Sequence, residues 1–164
     1  MDLKIKVCHF TTVHPIDDVR IFTKECVSLA NNGFDVTLIA CGDIAFEDIK
    51  NGVKRISLNV PVKNRFQRYF KRSKAVYRKA LVVDADIYHF HDPELLTIEL
   101  LIKKMTKAKL IYDAHEFESY KNVKAKLLSK VALYIETHIQ TIECCKINHF
   151  IVSNAVRLKI EKYI

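Results

Sequence analysis

Short apolar runs alternate with amphipathic segments along most of the chain. The apolar and β-branched runs predict strands over residues 3–10, 34–41, 53–60, 85–91, 108–115 and 147–153. The segments between them predict helices over 19–32, 65–81, 93–105 and about 123–145, with a further helical start at Asn154. Strands that alternate with helices form parallel sheets whose two faces are both covered. The pattern therefore predicts an α/β fold, a Rossmann-like three-layer sandwich with a mostly parallel sheet.

Two of the predicted helices carry detailed signals. The first has apolar residues at helical spacing, an aspartate before it as the N-cap and a glycine after it. These residues are Phe22, Cys26, Leu29 and Ala30 on the apolar face, Asp17 or Asp18 at the start, and Gly33 at the end. In the second, Phe66, Phe70, Ser73, Tyr77 and Ala80 or Leu81 share one face. We expect that face to be buried.

Polar residues follow five of the six predicted strands. Ligands of parallel α/β sheets bind beyond the carboxyl ends of the strands, where the connecting loops emerge. The polar residues are Thr11, Thr12 and His14, Cys41 to Asp43, His91 and Asp92, His115 and Glu116, and Ser153 and Asn154. We therefore expect these loops to converge on one site.

The positive charge of the chain is concentrated in one segment. Lys and Arg number 27 against 19 Asp and Glu, a net charge of +8. Eight of the cations lie within 63–79, which has no acidic residue, so 27 − 8 leaves 19 basic against 19 acidic residues elsewhere. A basic helix that also carries aromatics is typical of anionic membrane surfaces. A solvated outer face is the alternative, and inward-packed aromatics argue against nucleic acid.

Several classes of protein are disfavoured by the sequence. Five cysteines without a Cys-x-x-Cys spacing do not suggest a disulfide framework, and a reducing compartment fits them better. Neither a signal peptide nor a membrane span is predicted. The loop after the first strand has no glycine, so a dinucleotide fingerprint is missing, as is a P-loop. We expect this domain not to hold a nucleotide by itself.

A histidine pair on the fourth strand raises the question of a metal. His89 and His91 project to one face, and Asp113 and His115 follow from the neighbouring strand. A metal-dependent hydrolase built on His89, His91 and His115 is thus one alternative. A buried imidazole is the simpler interpretation of His89, and we predict no metal site. Ser153 lacks the Gly-x-Ser-x-Gly elbow of a nucleophile and is better explained as a helix N-cap.

Four segments together resemble a known family. HFTTVHPIDDVRIFTKECVSLANNGFDVTLIA, DADIYHFHDPELL, LIYDAHEF and HFIVSNA are similar, in this order, to the N-terminal half of family 4 glycosyltransferases. These are retaining enzymes with the GT-B fold, and they typically build bacterial polysaccharides and glycolipids. The resemblance implies two Rossmann-like domains facing a cleft, of which the N-terminal one binds the acceptor and the C-terminal one the nucleotide-sugar donor. It also implies that 1–164 is a single N-terminal domain without that C-terminal donor domain.

The resemblance also implies roles for particular residues. His115 corresponds to the histidine that contacts the transferred sugar and is the expected catalytic residue. The expected substrate-binding residues are His14, Asp17, Arg20, His91, Asp92 and Glu116. Independently of the resemblance, the basic segment gives the expected membrane or acceptor patch, which consists of Arg65, Arg68, Lys71, Arg72, Arg78 and Lys79. The full enzyme would be a hexosyltransferase that uses a UDP- or GDP-sugar, whereas this domain would bind no cofactor and be inactive alone.

The implied partners are a glycan or lipid-linked acceptor and the missing C-terminal domain or a partner chain. An anionic membrane surface is a further candidate, and nucleic acid is not expected. The protein would be cytoplasmic or peripheral on the inner face of the cytoplasmic membrane. The alternative within this family is a non-catalytic half of a split transferase that recruits the acceptor at the membrane.

Overall fold

Five strands form the sheet of the first structural unit. The computed structural model describes residues 4–114 and 149–152 and divides the chain into two units, Met1–Leu110 and Ile111–Ile164. The strands are β1 (Lys6–Phe10), β2 (Asp35–Gly42), β3 (Phe46–Lys50), β4 (Val53–Asn59) and β5 (Ile87–Phe90). Their order is β3-β4-β2-β1-β5, and every neighbouring pair except β3–β4 is parallel. The predicted α/β fold with a mostly parallel sheet is confirmed.

A second pair of strands occupies the described part of the second unit. Strand β6 (Lys109–Ala114) starts just before the boundary and pairs in parallel with β7 (His149–Val152). Both were predicted as strands. The helix predicted over about 123–145 and the helical start at Asn154 lie outside the described residues, as does Ser153.

Strand β3 was missed by the sequence analysis. It pairs with β4 in an antiparallel hairpin, with Asp48 opposite Arg55. The turn between them is Asn51-Gly52, and both residues have positive φ angles, 51° and 77°. Such angles are typical of the type I′ turn, for which Asn-Gly is the preferred sequence. The strand itself, FEDIK, is a largely exposed edge strand, so its apolar signal is weak.

Helix α1 follows the loop after β1, residues 11–18, which we call the first loop. It consists of a π-helical segment, Val19–Cys26, and an α-helical segment, Val27–Asn31. The Asp18 carboxylate accepts hydrogen bonds from the backbone N–H groups of Arg20 and Ile21, at 3.0 and 2.9 Å. At the other end Gly33 has a φ of 89°, and the N–H of Phe34 donates to the carbonyl of Leu29. The predicted N-cap and C-terminal glycine are confirmed.

The apolar face of α1 forms a core with the sheet. The cluster is buried, and the partly buried Leu29 and Ala30 pack against it. Its members are Ile21, Phe22, Cys26, Val36, Leu38 and Val53. The predicted core positions Phe22 and Cys26 are confirmed. This packing fixes the position of α1 over β2 and β4. It thereby also fixes Arg20 and Glu25, the polar side chains of α1 that reach the histidines of β1 and β5.

Helix α2 carries most of the basic segment. Its three consecutive parts are Arg65–Gln67, a π-helical turn at Arg68–Arg72, and Ser73–Val83. The buried face is made by Ser73, Val76 and Ala80. The prediction that Phe66 and Phe70 are buried is wrong, since they are 72% and 55% exposed. The wider π-helical turn contains Phe70 and follows Phe66, and it rotates both away from the buried face of the following α-helix.

Helix α3 completes the first unit. A 3₁₀ turn at Pro93–Leu95 leads into an α-helix at Leu96–Met105, which agrees with the predicted range. Among the described residues, none of the helices combines the length and apolarity needed to cross a bilayer.

Candidate functional site

Asp92 joins two loops at the carboxyl ends of β1 and β5. These strands are parallel neighbours, with Phe10 opposite Phe90, so both end at the same edge of the sheet. Asp92 is 2% exposed. Its Oδ2 accepts hydrogen bonds from the Thr11 hydroxyl at 2.8 Å and the Thr12 N–H at 2.6 Å, and the Thr12 hydroxyl oxygen lies 3.2 Å away. A buried carboxylate with two donors therefore fixes the first loop.

His14 lies on this braced loop between two carboxylates. Its Nε2 is 3.7 Å from Asp92 Oδ1, and its Nδ1 is 3.6 Å from Asp18 Oδ2. Its backbone N–H donates to the Thr11 hydroxyl at 3.1 Å. The side chain is 25% exposed, so an imidazole edge reaches solvent at the edge of the sheet. The structure thus brings together two of the predicted substrate-binding residues, His14 and Asp92.

The electrostatics of this loop favour the charged form of Asp18. Partial burial raises the pKa of its carboxyl group, but the backbone hydrogen bonds from Ile21 and Arg20 and the charges of His14 and Arg20 outweigh it. The net effect is a pKa below the usual 3.8. A cap that stays ionised keeps the first turn of α1 fixed beside the site.

Helices α2 and α3 also contact the first loop. The Arg72 guanidinium donates to the backbone carbonyl of Thr12 at 3.1 Å. Glu94 accepts a short hydrogen bond from the Thr12 hydroxyl and pairs with Arg68 at 3.2 Å. Arg68 and Arg72 were assigned to a membrane or acceptor patch from the sequence. In the structure the head group of Arg72 lies against the loop, and that of Arg68 binds Glu94, which contacts the loop.

The remaining members of the predicted basic patch also lie on α2. Lys79 forms an ion pair with Glu47 of the hairpin. Lys71 and Arg78 are exposed, and Lys74 is exposed beside them. The helix begins at Arg65.

Asp17 faces away from the site. Its carboxylate accepts from Arg55 at 2.6 Å and from Lys50 at 2.8 Å. The Arg55 guanidinium, whose side chain is 7% exposed, also binds Asp48 at 2.8 Å and lies 5.3 Å from the centre of the Phe22 ring. Asp17 therefore ties α1 to the β3–β4 hairpin, and its role as a substrate ligand remains a prediction.

Below the loop lies a layer of buried histidines. His91 is 3% exposed and His89 8% exposed, which agrees with the interpretation of His89 as a core residue. His9, which the sequence analysis did not single out, is fully buried beside them. Arg20 reaches this layer, with Nη2 3.5 Å from His91 Nδ1 and Nη1 3.4 Å from Glu25 Oε1. The predicted residues Arg20 and His91 thus meet beneath the edge of the sheet.

The cysteines of the described part are unsuited to nucleophilic chemistry. Burial raises the pKa of the Cys8 and Cys26 thiols far above the ordinary range. Burial also raises that of Cys41 to about 11, against the opposing charge of Arg72. All three stay protonated near neutral pH and pack as small apolar groups.

The expected catalytic residue His115 lies outside the described residues, as does Glu116. Their roles remain predictions. So does the convergence of their loop with the one that carries His14.

Solved structures of several other proteins share the fold of this chain at low sequence identity. Over 83% of its length the chain superposes on sucrose-phosphate synthase from Thermosynechococcus elongatus, with a TM-score of 0.62 and 10% identity. It likewise resembles a putative UDP-N-acetylglucosamine 2-epimerase from Listeria monocytogenes over 92% of the chain (TM-score 0.57, 12% identity). The catalytic domain of starch synthase IV from Arabidopsis thaliana, bound to ADP and acarbose, matches over 70% (TM-score 0.50, 16% identity). The fold is thus the Rossmann-like half of a GT-B structure.

Residues 21–163 match the description Glycosyltransferase Family 4, and the chain belongs to that family. The predicted resemblance is confirmed. No curated protein matches the sequence. The chain spans 40%, 39% and 34% of the lengths of the three similar structures.

Proposed function

We propose that this chain is the acceptor-binding N-terminal domain of a retaining glycosyltransferase. The enzyme would move a hexose from a UDP- or GDP-sugar to a glycan or lipid-linked acceptor in bacterial surface polysaccharide synthesis. Membership of family 4 supports the activity. The observation that carries the assignment to the acceptor side is the fixed polar loop at the ends of β1 and β5, where His14 remains accessible above the buried Asp92.

The chemistry of this loop suits the positioning of a hydroxyl group. The carboxylates of Asp18 and Asp92 lie on either side of the His14 ring, 3.6 and 3.7 Å from its two nitrogens, and hold the ring in one orientation at the edge of the sheet. Retaining transfer in this family is usually described without a protein nucleophile, the acceptor hydroxyl entering on the face that the phosphate leaves. Such a site requires orientation and charge stabilisation rather than a reactive side chain. His115 is the residue we expect to contact the transferred sugar.

The donor would be bound elsewhere in the enzyme. The first loop, residues 11–18, has no glycine that would let the backbone approach a diphosphate. The chain also spans two fifths or less of the similar structures. We therefore assign the nucleotide-sugar to a second domain or a partner chain, and we expect this chain alone to transfer no sugar.

Hydrogen exchange tests the acceptor assignment. Lipid-linked bacterial glycans presented in nanodiscs should slow backbone exchange at residues 11–14 and at Asp92, compared with nanodiscs that lack the glycan. The opposite edge of the sheet, at Asp35 and Asp86, provides the internal control. Protection at that edge, or no protection at either, would overturn the assignment.

The outer face of α2 supports a membrane role for the same domain. Phe66 and Phe70 are exposed with ring centres 4.6 Å apart, and Lys71, Lys74 and Arg78 are exposed on the same helix. Aromatic and basic side chains that share an exposed surface can enter the lipid interface and pair with anionic head groups. We propose that the domain lies on the inner face of the cytoplasmic membrane through this surface, the α2 stripe. A membrane-recruiting half of a split transferase would use the same stripe.

Vesicle co-sedimentation measures the contribution of the α2 stripe. Replacing Lys71, Lys74 and Arg78 by glutamine should weaken binding to vesicles rich in phosphatidylglycerol about 100-fold, since each cation contributes about 1 kcal/mol. Replacing Phe66 and Phe70 by serine should weaken it at least about tenfold.

The control for the cations is Lys104→Gln with Lys107→Gln, at exposed positions in α3 and just after it. The control for the aromatics is Val82→Ser, at an exposed position elsewhere in α2. Equal binding by all variants, or binding that 0.5 M salt does not weaken, would contradict a membrane role. Tighter binding to a single-stranded oligonucleotide than to vesicles would also contradict it, because exposed aromatics among cations suit nucleic acid too.

A further inference from the structure

Four potential metal ligands from three elements meet below the first loop. His9 lies on β1, opposite His89 of β5 in the parallel register, and His91 follows two residues later on the same side. Glu25 reaches them from α1, which packs over this part of the sheet. One ligand atom from each of the four residues lies within 4.8 Å of all the others. Of the contacts in this cluster, the sequence indicated only that His89 and His91, two residues apart on one strand, share a face.

The distances within this cluster fit a metal coordination sphere. His9 Nδ1 lies 3.3 Å from His91 Nε2 and 3.7 Å from Glu25 Oε2. His91 Nε2 and Glu25 Oε2 are 3.5 Å apart. In a tetrahedral zinc site with bonds of about 2.0–2.1 Å, neighbouring ligand atoms are about 3.3–3.4 Å apart. The three atoms thus outline one face of such a tetrahedron with little adjustment. The His89 ring, centred 4.5 Å from both other imidazoles, is placed to supply the fourth ligand.

The ligand types select the class of metal. Three imidazoles and one carboxylate suit Zn²⁺ and neighbouring divalent transition metals, whereas Mg²⁺ and Ca²⁺ prefer oxygen ligands. Glu25 Oε1 lies 3.4 Å from Arg20 Nη1, which orients the carboxylate so that Oε2 faces the imidazoles. Support of a ligand by such an outer contact is typical of metal centres.

We propose that His9, Glu25, His89 and His91 bind one divalent transition-metal ion of the zinc class. The three histidines are nearly or fully buried, and four protein ligands complete a tetrahedral shell. The ion would therefore be structural, and it would fasten α1 to β1 and β5 beneath the loop that carries His14. This differs from a hydrolase built on His115, which would need an open coordination position. The proposed acceptor surface, at His14 and the loop above, does not depend on this ion, although His91 and Arg20 were also expected to bind substrate.

Cobalt substitution tests the proposal. The whole chain, freed of metal by chelator dialysis, is titrated with Co²⁺ and then with Zn²⁺. We expect one equivalent of Co²⁺ with the strong visible absorption of tetrahedral cobalt and without the near-ultraviolet charge-transfer band of thiolate ligands. One equivalent of Zn²⁺ should then displace it and raise the melting temperature.

Two substitutions decide whether the ion occupies this cluster. Glu25→Gln keeps the size of the side chain and should weaken binding at least about 100-fold, because even an outer contact contributes 10–100-fold. Glu47→Gln, the same change on the exposed hairpin, should leave affinity within about twofold. If circular dichroism shows that Glu25→Gln does not fold, His91→Gln takes its place. Fewer than one equivalent, an octahedral spectrum, or equal affinity in both variants would overturn the proposal.

Discussion

Replacing Leu38 by alanine is expected to lower the free energy of unfolding by about 3–4 kcal/mol. Leu38 is fully buried on β2, in the cluster that joins α1 to the sheet. Its truncation removes apolar contacts within this cluster and leaves a cavity that the surrounding strands cannot close. Urea unfolding followed by circular dichroism measures the change.

Leu101→Ala is the matched control. It makes the same substitution on α3, where the side chain is 44% exposed, and should change stability by less than about 0.5 kcal/mol. If Leu38→Ala proved as mild as Leu101→Ala is expected to be, the packing of α1 on β2 would not stabilise this domain. In that case the positions of Arg20 and Glu25 would also need another explanation.

Asp92→Asn is expected to cost about 2–3 kcal/mol, because hydrogen bonds to a charged acceptor contribute more than neutral ones. Asparagine keeps the shape of the side chain, but its amide replaces a buried carboxylate that accepts from the Thr11 hydroxyl and the Thr12 N–H of the first loop. We also expect faster hydrogen exchange at the Thr12 N–H, which donates to this oxygen. Both effects follow from the loss of charge at one buried atom.

The control for Asp92 is Asp43→Asn, which makes the same change at an exposed position after β2. It should alter stability by less than about 0.5 kcal/mol. If Asp92→Asn proved as mild as Asp43→Asn, the first loop would be held by other contacts. The account of His14 as a fixed residue above a buried carboxylate would then fail.

Local chemistry made much of the fold predictable. The apolar runs located six of the seven strands found within residues 4–114 and 149–152, and Asp18 and Gly33 marked the ends of α1. Strand β3 was missed because its five residues are mostly polar and its edge position demands little apolar surface. The Asn51-Gly52 dipeptide is the sequence signal that indicates this hairpin.

The orientation of α2 was harder to predict. Regular α-helical spacing puts Phe66 and Phe70 on the same side as Ser73. The π-helical turn at Arg68–Arg72 breaks this spacing, so the two aromatics and Ser73 lie on different faces. A single widened turn leaves no clear pattern in the sequence. The error mattered for function, since buried aromatics would have removed the α2 stripe as a lipid-binding surface.

The contacts among distant residues were partly accessible from topology. That the ends of β1 and β5 meet follows from parallel pairing, so the proximity of His14 and Asp92 could be anticipated. The arrival of Glu25 beside His9 and His91 could not, because it depends on the rotation of α1 about its axis. That rotation is fixed by packing rather than by spacing.

Calorimetric titration of this chain with UDP-glucose and GDP-mannose tests the central claim most directly. If the domain is the acceptor side of the transferase, neither nucleotide-sugar should give saturable binding with a Kd below about 1 mM, equivalent to about −4 kcal/mol. Saturable binding of either donor with a Kd near 10 μM would contradict the assignment, since the donor site would then lie within these 164 residues.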